Sequence, residues 1–239
     1  MNAGFMPEGL PDFSDGFDVY AGWEITRKGD NSLTPEQNKL LAYGAPLFLY
    51  NDDNVDSLES TAGTDTLKEM LEEWWEVTDR KSALETISWL LNEGQHAGAD
   101  PALAEIRQRG IEAITEEEKA DEDSKIGDAF TIAEFVMGVN ETTEADLPET
   151  VLAWDLVRAV NMARWAFICG YINEDEMWEA IRTTAGIAKE SFSSWEEYGN
   201  SFAVGRGIWR GETDDYETAD EVVGALLNKE DSPWKAIEW

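Results

Sequence analysis

The sequence predicts an all-α fold, a single globular domain of about eight helices led by an irregular aromatic arm. Three observations carry the prediction. Apolar residues recur at i, i+3, i+4 and i+7 in one segment after another. Helix-capping signatures open several of those segments. No two segments alternate with the period of two that a strand hairpin requires. The 239 residues allow one substantial core. Eleven Trp, nine Phe and six Tyr argue for folding in spite of 29% charged residues, since each buried ring removes ~150–250 Å² from water.

Residues 1–33 are rich in Gly, Asp and aromatics, with Phe5, Phe13, Phe17, Tyr20 and Trp23 at spacings that suit neither helix nor strand. They read as an arm whose rings pack onto a helical body spanning 34–239. Thr34-Pro35-Glu36-Gln37 combines an N-cap, a proline at the first helical position and a capping-box Gln. A helix should start there and stop at Gly44, followed by a short apolar segment and the polar turn 51–54. Thr64 is the expected cap of a helix with Leu67, Met70, Leu71, Trp74, Trp75 and Val77 on its apolar face. Thr78 opens a second through Ala83, Ile87 and Leu91, ended by Gly94. Asp100-Pro101 marks the start of a third, through Leu103, Ile106, Ile111 and Ile114.

Residues 112–149 are dominated by charge, densest over 116–123, and read as an acidic connector holding a short helix over 130–137. From 149 to 172 apolar residues cover most of the circumference, which places that helix at the centre. Asn173 caps the next, as far as Phe192. Ser193 or Ser194 caps one carrying Trp195, Tyr198, Phe202 and Trp209. A last helix covers 218–227, and residues 232–239 are extended or turned.

The net charge is −33, from 18 Lys+Arg against 51 Asp+Glu. Such a field repels nucleic-acid phosphates and anionic lipid headgroups, so neither nucleic acid nor a membrane is an expected partner. It serves solubility first, and it attracts basic proteins and other cations. The one cysteine, Cys169, excludes an intrachain disulfide and sits in an apolar run suited to a reducing compartment. No secretion signal is visible at the N-terminus, and no run approaches the ~20 apolar residues of a membrane span. A cytoplasmic location is expected.

Residues that could carry chemistry are few. Trp154-Asp155-x-x-Arg158 sets an acid and a base three apart on one helix, where they can pair. Asn161 and Arg164 continue a slanted polar ribbon, and Arg206 can join it. The favoured reading is a buried ion-pair network that fixes helix register. The alternative is a polar pocket of Asp155, Arg158, Asn161 and Arg206, in which Arg158 binds an anion and Asp155 orients it. Gly205-Arg-Gly207 lacks the preceding strand of a phosphate loop. Glu93-x-x-His96 has the spacing of half a di-iron site, whose other half needs a second Glu/His pair. The chain has one His, which removes that site, a zinc site and any well-supported Ser-His or Cys-His chemistry. No cofactor and no metal is expected.

Three groups of residues carry a resemblance. The first is Glu73-Trp-Trp-Glu-Val-Thr-Asp-Arg80 with Trp89-Leu-Leu-Asn-Glu-Gly-Gln-His96. The second is Ala153-Trp-Asp-Leu-Val-Arg-Ala159, continuing to Gly170-Tyr171. The third is Ser194-Trp-Glu-Glu-Tyr198 with Gly205-Arg206, Trp209 and the terminal Ser-Pro-Trp…Trp. Together they resemble the bacterial domain-of-unknown-function family 1266, over roughly residues 43–239. The resemblance implies a helical bacterial protein and brings no activity, substrate or cofactor. The family tends to place His directly after the glycine that stands here as Gly94, whereas Gln95 intervenes in this chain. The acidic stretch 112–149 looks particular to this chain.

The expected function is a non-catalytic protein-interaction module whose acidic surface binds a basic protein, such as a toxin or nuclease domain, in the manner of an immunity protein. The alternatives are an enzyme or small-ligand binder using a polar pocket around Asp155, Arg158 and Arg206, and a structural subunit of a homo-oligomer.

Overall fold

In the computed structural model, which describes residue 20 and residues 22–239, Thr34 accepts from the Gln37 amide and Gln37 answers through its side chain. Helix α1 (Pro35–Leu41) thus opens on the predicted capping box. Phe5, Phe13 and Phe17 of the expected arm lie outside the described residues. Trp23 of that arm stacks on Tyr50 at 6.3 Å between ring centroids. The chain does not stop at Gly44. One 3-10 turn, Ala42–Gly44, leads directly into α2 (Ala45–Tyr50), so the apolar segment is itself helical. Gly44 serves close approach rather than breakage, since a Cβ there would lie 2.6 Å from Cγ1 of Val160.

Helices α3 (Thr64–Trp75) and α4 (Arg80–Asn92) follow, with their caps displaced by one residue from the expected positions. Gly63 precedes α3, and Asp79 rather than Thr78 caps α4, accepting from the Ser82 amide at 2.8 Å. Helix α5 (His96–Arg109) begins four residues before Asp100, carries Pro101 inside it and stops at Gly110 (φ +81°), short of the expected Ile111 and Ile114. The expected connector 112–149 is corrected most. It contains α6 (Glu116–Lys119) and α7 (Ile126–Asn140), and α7 buries Ile126, Ala129, Ile132, Ala133 and Val136 in the core. Ala129 and Ala133 are too small to register as an apolar stripe, which is why this face reads as polar.

Helix α8 (Leu152–Ile168) is the axis of the molecule, with every residue from Ala153 to Ala166 buried. It is flanked by α2, α4, α9 (Glu174–Ser191) and α10 (Trp195–Arg210), while α11 (Thr213–Asn228) lies along α10. The expected tail contains a helical turn, α12 (Pro233–Ala236), capped by Ser232. Among the described residues there is no strand, and eight helices have twelve residues or more. The fold is all-α. No helix among them is long and apolar enough to cross a membrane.

Backbone groups outside regular hydrogen bonding need partners. Besides any local partner, such as the Ala45 amide on Ala42, the three carbonyls of the 42–44 turn accept from side chains on distant elements. Trp234 Nε1 donates to Ala42 at 2.8 Å, the Tyr198 hydroxyl to Tyr43 at 2.9 Å and Asn161 Nδ2 to Gly44 at 3.1 Å. Burial holds Tyr198 well above the usual tyrosine range, so its hydroxyl keeps the proton it donates.

The loop between α2 and α3 is organised by one carboxylate. Asp53 accepts from Ser60 Oγ and from the amides of Asn54 and Thr61, each at 2.8 Å. It also meets Arg164 Nη1 of α8 at 2.9 Å, while Arg164 Nη2 donates to the Glu59 carbonyl at 2.6 Å. Burial lowers the Arg164 pKa against the pull of Asp53. Replacing one member of such a pair strands the other in the interior. Arg164→Met is therefore expected to lose ~3–5 kcal/mol in urea melts, and Arg164→Met with Asp53→Asn should cost less than the two changes summed. A loss below ~1 kcal/mol for the single variant would mean the pair behaves as a surface pair.

Candidate functional site: the polar ribbon of the central helix

Asp155, Arg158, Asn161 and Arg164 are spaced by three, and each such step turns about −60° around a helix that advances ~100° per residue. Over nine residues the ribbon passes half-way round α8. Asp155 and Arg164 therefore face opposite sides and serve different neighbours.

Asp155 is wholly buried. It pairs with Arg158, accepts from the amides of Gln95 and His96 at 3.0 and 2.8 Å, and lies 2.7 Å from His96 Nδ1. Gly94 makes this possible. It closes α4 at φ +52°, with its amide donating to the Trp89 carbonyl at 2.8 Å. A side chain at 94 would be strained at that φ, and its Cβ would run into the Asp155 carboxylate. The first amides of α5 have no acceptor within their own helix, and a carboxylate at that end is favoured by the helix dipole.

Helix α5 returns the contact. Asp100 accepts the Val151 amide at 2.8 Å and the Thr150 hydroxyl at 2.6 Å, where α8 begins. The capping chemistry expected of Asp100 is present, but on α8 rather than on its own helix. Each of the two helices caps the other.

Electrostatics follow from burial and these partners. Burial pushes the Arg158 guanidinium down to about 10, with Asp155 pulling the other way, so it remains cationic at neutral pH. The hydrogen bond that His96 donates to Asp155 raises His96 above its usual value; burial and Arg158 oppose this, and the charges of Asp155 and Asp100 add to it. Burial raises Asp100, against its hydrogen bonds from Thr150 and Val151. Bonding through Nδ1 leaves Nε2 of His96 as the nitrogen that exchanges protons with solvent.

Of the residues singled out in the sequence, Asp155 and Arg158 come together. Asn161 bonds the carbonyls of Gly44 and Val157 at 3.1 and 2.8 Å. Arg206 does not hydrogen-bond the Asp155–Arg158 pair. It is held by Asp215 and the Tyr50 hydroxyl, both at 2.8 Å, and approaches the others through the Trp154 ring, 5.6 Å away. His96, weighed in the sequence only as half of a di-iron site or as a catalytic base, instead partners Asp155. It stands 59 residues from Asp155, and no spacing rule links them. No group of three or more His, Cys, Asp or Glu suited to a metal ion occurs among the described residues.

Fold and site together define an all-α protein whose buried charges are matched pair by pair along a central helix. The chain belongs to the family described as "Protein of unknown function (DUF1266)", whose model matches residues 70–239. The segments that carry the resemblance after Met70 all fall inside that range. No curated protein and no solved structure matches the chain.

Two outcomes test the site. Arg158→Ala leaves Asp155 with its remaining donors but without its counter-charge, and should cost ~3–5 kcal/mol. Asp155→Ala should cost at least as much, because it also uncaps α5, and the double variant should cost less than the sum. Denaturant melts of the three proteins measure this; strict additivity would mean the two side chains act independently.

The second outcome concerns pH. With a folded pKa above the unfolded value of ~6.5, His96 stabilises the fold fully below that pH. The contribution fades as pH rises through the folded value. Stability should therefore decline from pH 6 to 9 more steeply in the wild type than in His96→Gln, and the imidazole should titrate by NMR with a midpoint above ~6.5. Parallel stability profiles would contradict the coupling.

Proposed function

We propose that the protein is a non-catalytic interaction module that binds a basic protein partner. Trp74 carries this reading. Its side chain is 76% exposed on α3, and Glu69, Glu72, Glu73 and Glu76 around it are exposed as well. Helix α3 buries only Leu67 and Leu71. An indole left in water loses the benefit of burial that Trp ordinarily brings, and Trp is the residue type most enriched among interface anchors. The surrounding carboxylates suit a cationic rim around an apolar pocket on the partner.

The net charge of −33 adds long-range attraction for a basic protein. The buried polar residues are consistent with the non-catalytic part of the reading, since Asp155, Asn161 and Arg164 are engaged in holding helices and loops together. A basic toxin or nuclease domain, neutralised by occlusion, is the partner class this chemistry suits.

The test is affinity capture from cells of the source organism with the tagged chain and with Trp74→Ala. The captured protein should be basic, and its binding should weaken by ~30-fold or more for Trp74→Ala, as an anchor worth ~2 kcal/mol predicts. Association should also slow as salt rises from ~50 to ~500 mM. Capture of an acidic partner, or binding indifferent to both Trp74 and salt, would remove the reading.

A further inference from the structure

Helix α7 buries Ile126, Ala129, Ile132, Ala133 and Val136 on its inner side. A helix covered on one side ordinarily keeps its outer side polar. Here Phe130, Phe135, Met137 and Val139 stand outside the buried set, and Val139 is 61% exposed. Two cavities follow this outer side. The first, of about 640 Å³, lies between α6 and α7 and is bordered by Gly127, Phe130 and Thr131. The second, of about 400 Å³, is bordered by Phe135, Gly138, Val139 and Thr213, the first residue of α11. Thr131 borders both, so they adjoin as one furrow. Gly127, Thr131, Glu134 and Gly138, at steps of three or four, trace its course along a single helix face.

The two ends of the furrow differ in charge. Glu116, Asp121, Glu122 and Asp128 border the first cavity together with Lys119 and Lys125. Each lysine is taken by one acid at 2.8 Å, Lys119 by Glu116 and Lys125 by Asp128. Asp121 and Glu122 are exposed and form no ion pair among the described residues. The Lys119 ammonium also lies 3.7 Å from the centroid of the Phe130 ring, so a cation already sits against the aromatic wall of this cavity. At the far end Glu134 is the one charged residue on the border, and the rest is phenyl ring, glycine, valine and threonine.

We propose that the furrow binds a short segment of a basic protein, with cationic side chains at one end of the segment and apolar side chains at the other. Lysine or arginine side chains meet Asp121 and Glu122, and an apolar side chain enters the cavity beside Phe135 and Val139. Between Gly127 and Gly138 the helix rises ~16 Å at ~1.5 Å per residue. About five residues of extended chain cover that span. Charge selects the occupant. A second copy of a chain with net charge −33 would bring like charge to the acidic end, whereas a basic segment neutralises it. The furrow shares no residue with the Trp74 surface, so each can fail without the other.

The experiment is an NMR titration of the full chain with three synthetic peptides at ~150 mM salt, where weak surface attraction is screened. The first peptide carries lysines at one end and leucines at the other. The second has serines in place of the leucines, and the third has glutamates in place of the lysines. The first should shift the Thr131 amide and Val139 methyl signals saturably. The second should bind at least fivefold more weakly, and the third should move neither signal. Val139→Ser, and Asp121→Asn combined with Glu122→Gln, change exposed side chains only; each should weaken the first peptide at least fivefold, while Trp74→Ala leaves its affinity unchanged. Four results would each overturn the proposal. They are no saturable shift at Val139 up to ~5 mM peptide, a range that reaches millimolar affinities, equal binding of the serine peptide, and a response confined to Trp74. The fourth is a Val139 signal that moves with protein concentration alone, which would give this face to a second copy. Because the first titration uses the unmodified protein, a variant that fails to fold leaves the proposal open to refutation.

Discussion

Asp155 is the group on which the arrangement of the central helices depends. A carboxylate in the interior is tolerable only if its oxygens are fully used. Here they are used by partners on three different kinds of structure: a cation one turn along the same helix, two amides at the start of another helix, and an imidazole. Each partner constrains something different. Arg158 fixes where the carboxylate lies along α8, the amides fix where α5 begins, and Gly94 is confined to a backbone conformation that only a residue without Cβ holds easily. Asp100 closes the exchange from the other side. The corner between α4 and α5 and the start of α8 are therefore set by one mutually dependent group of hydrogen bonds.

Much of the fold was legible because it rests on local rules. The capping boxes at Thr34 and Asn173, the burial of α8 and the aromatic face of α10 all follow from residues within a turn or two of each other. Helix α7 escaped because alanines supply much of its inner face. The site was half legible. Spacing identified Asp155 with Arg158, since i and i+3 share a helix face, but it could not say what else reaches that face. Asp53 lies 111 residues from Arg164, and Asp100 spends its capping power on the Val151 amide, 51 residues further on. Such partnerships are created by tertiary packing and leave no periodic trace. Arg206 was grouped with the ribbon on composition alone, whereas the position of α10 hands it to Asp215.

Interior and exterior solve opposite electrostatic problems. The fully buried charged side chains among the described residues are two acids and two bases, Asp53 with Arg164 and Asp155 with Arg158. The large acidic excess is thus carried by the surface, where water screens it. The family match begins at residue 70, yet Asp53 and the 42–44 turn precede it and engage Arg164, Asn161, Tyr198 and Trp234 within it. The segment before the match is an integral part of this core.

The 42–44 turn has a consequence for how the chain is made. Its carbonyl at Ala42 is claimed by an indole 192 residues further on. At ~5–20 residues per second, a ribosome needs roughly 10–40 s to supply that partner. Until α8 and α11 emerge, the α1–α2 segment waits with Leu47, Phe48 and Leu49 uncovered, although all three end in the core. The nascent chain therefore offers this apolar segment to chaperones until its central helix has been made.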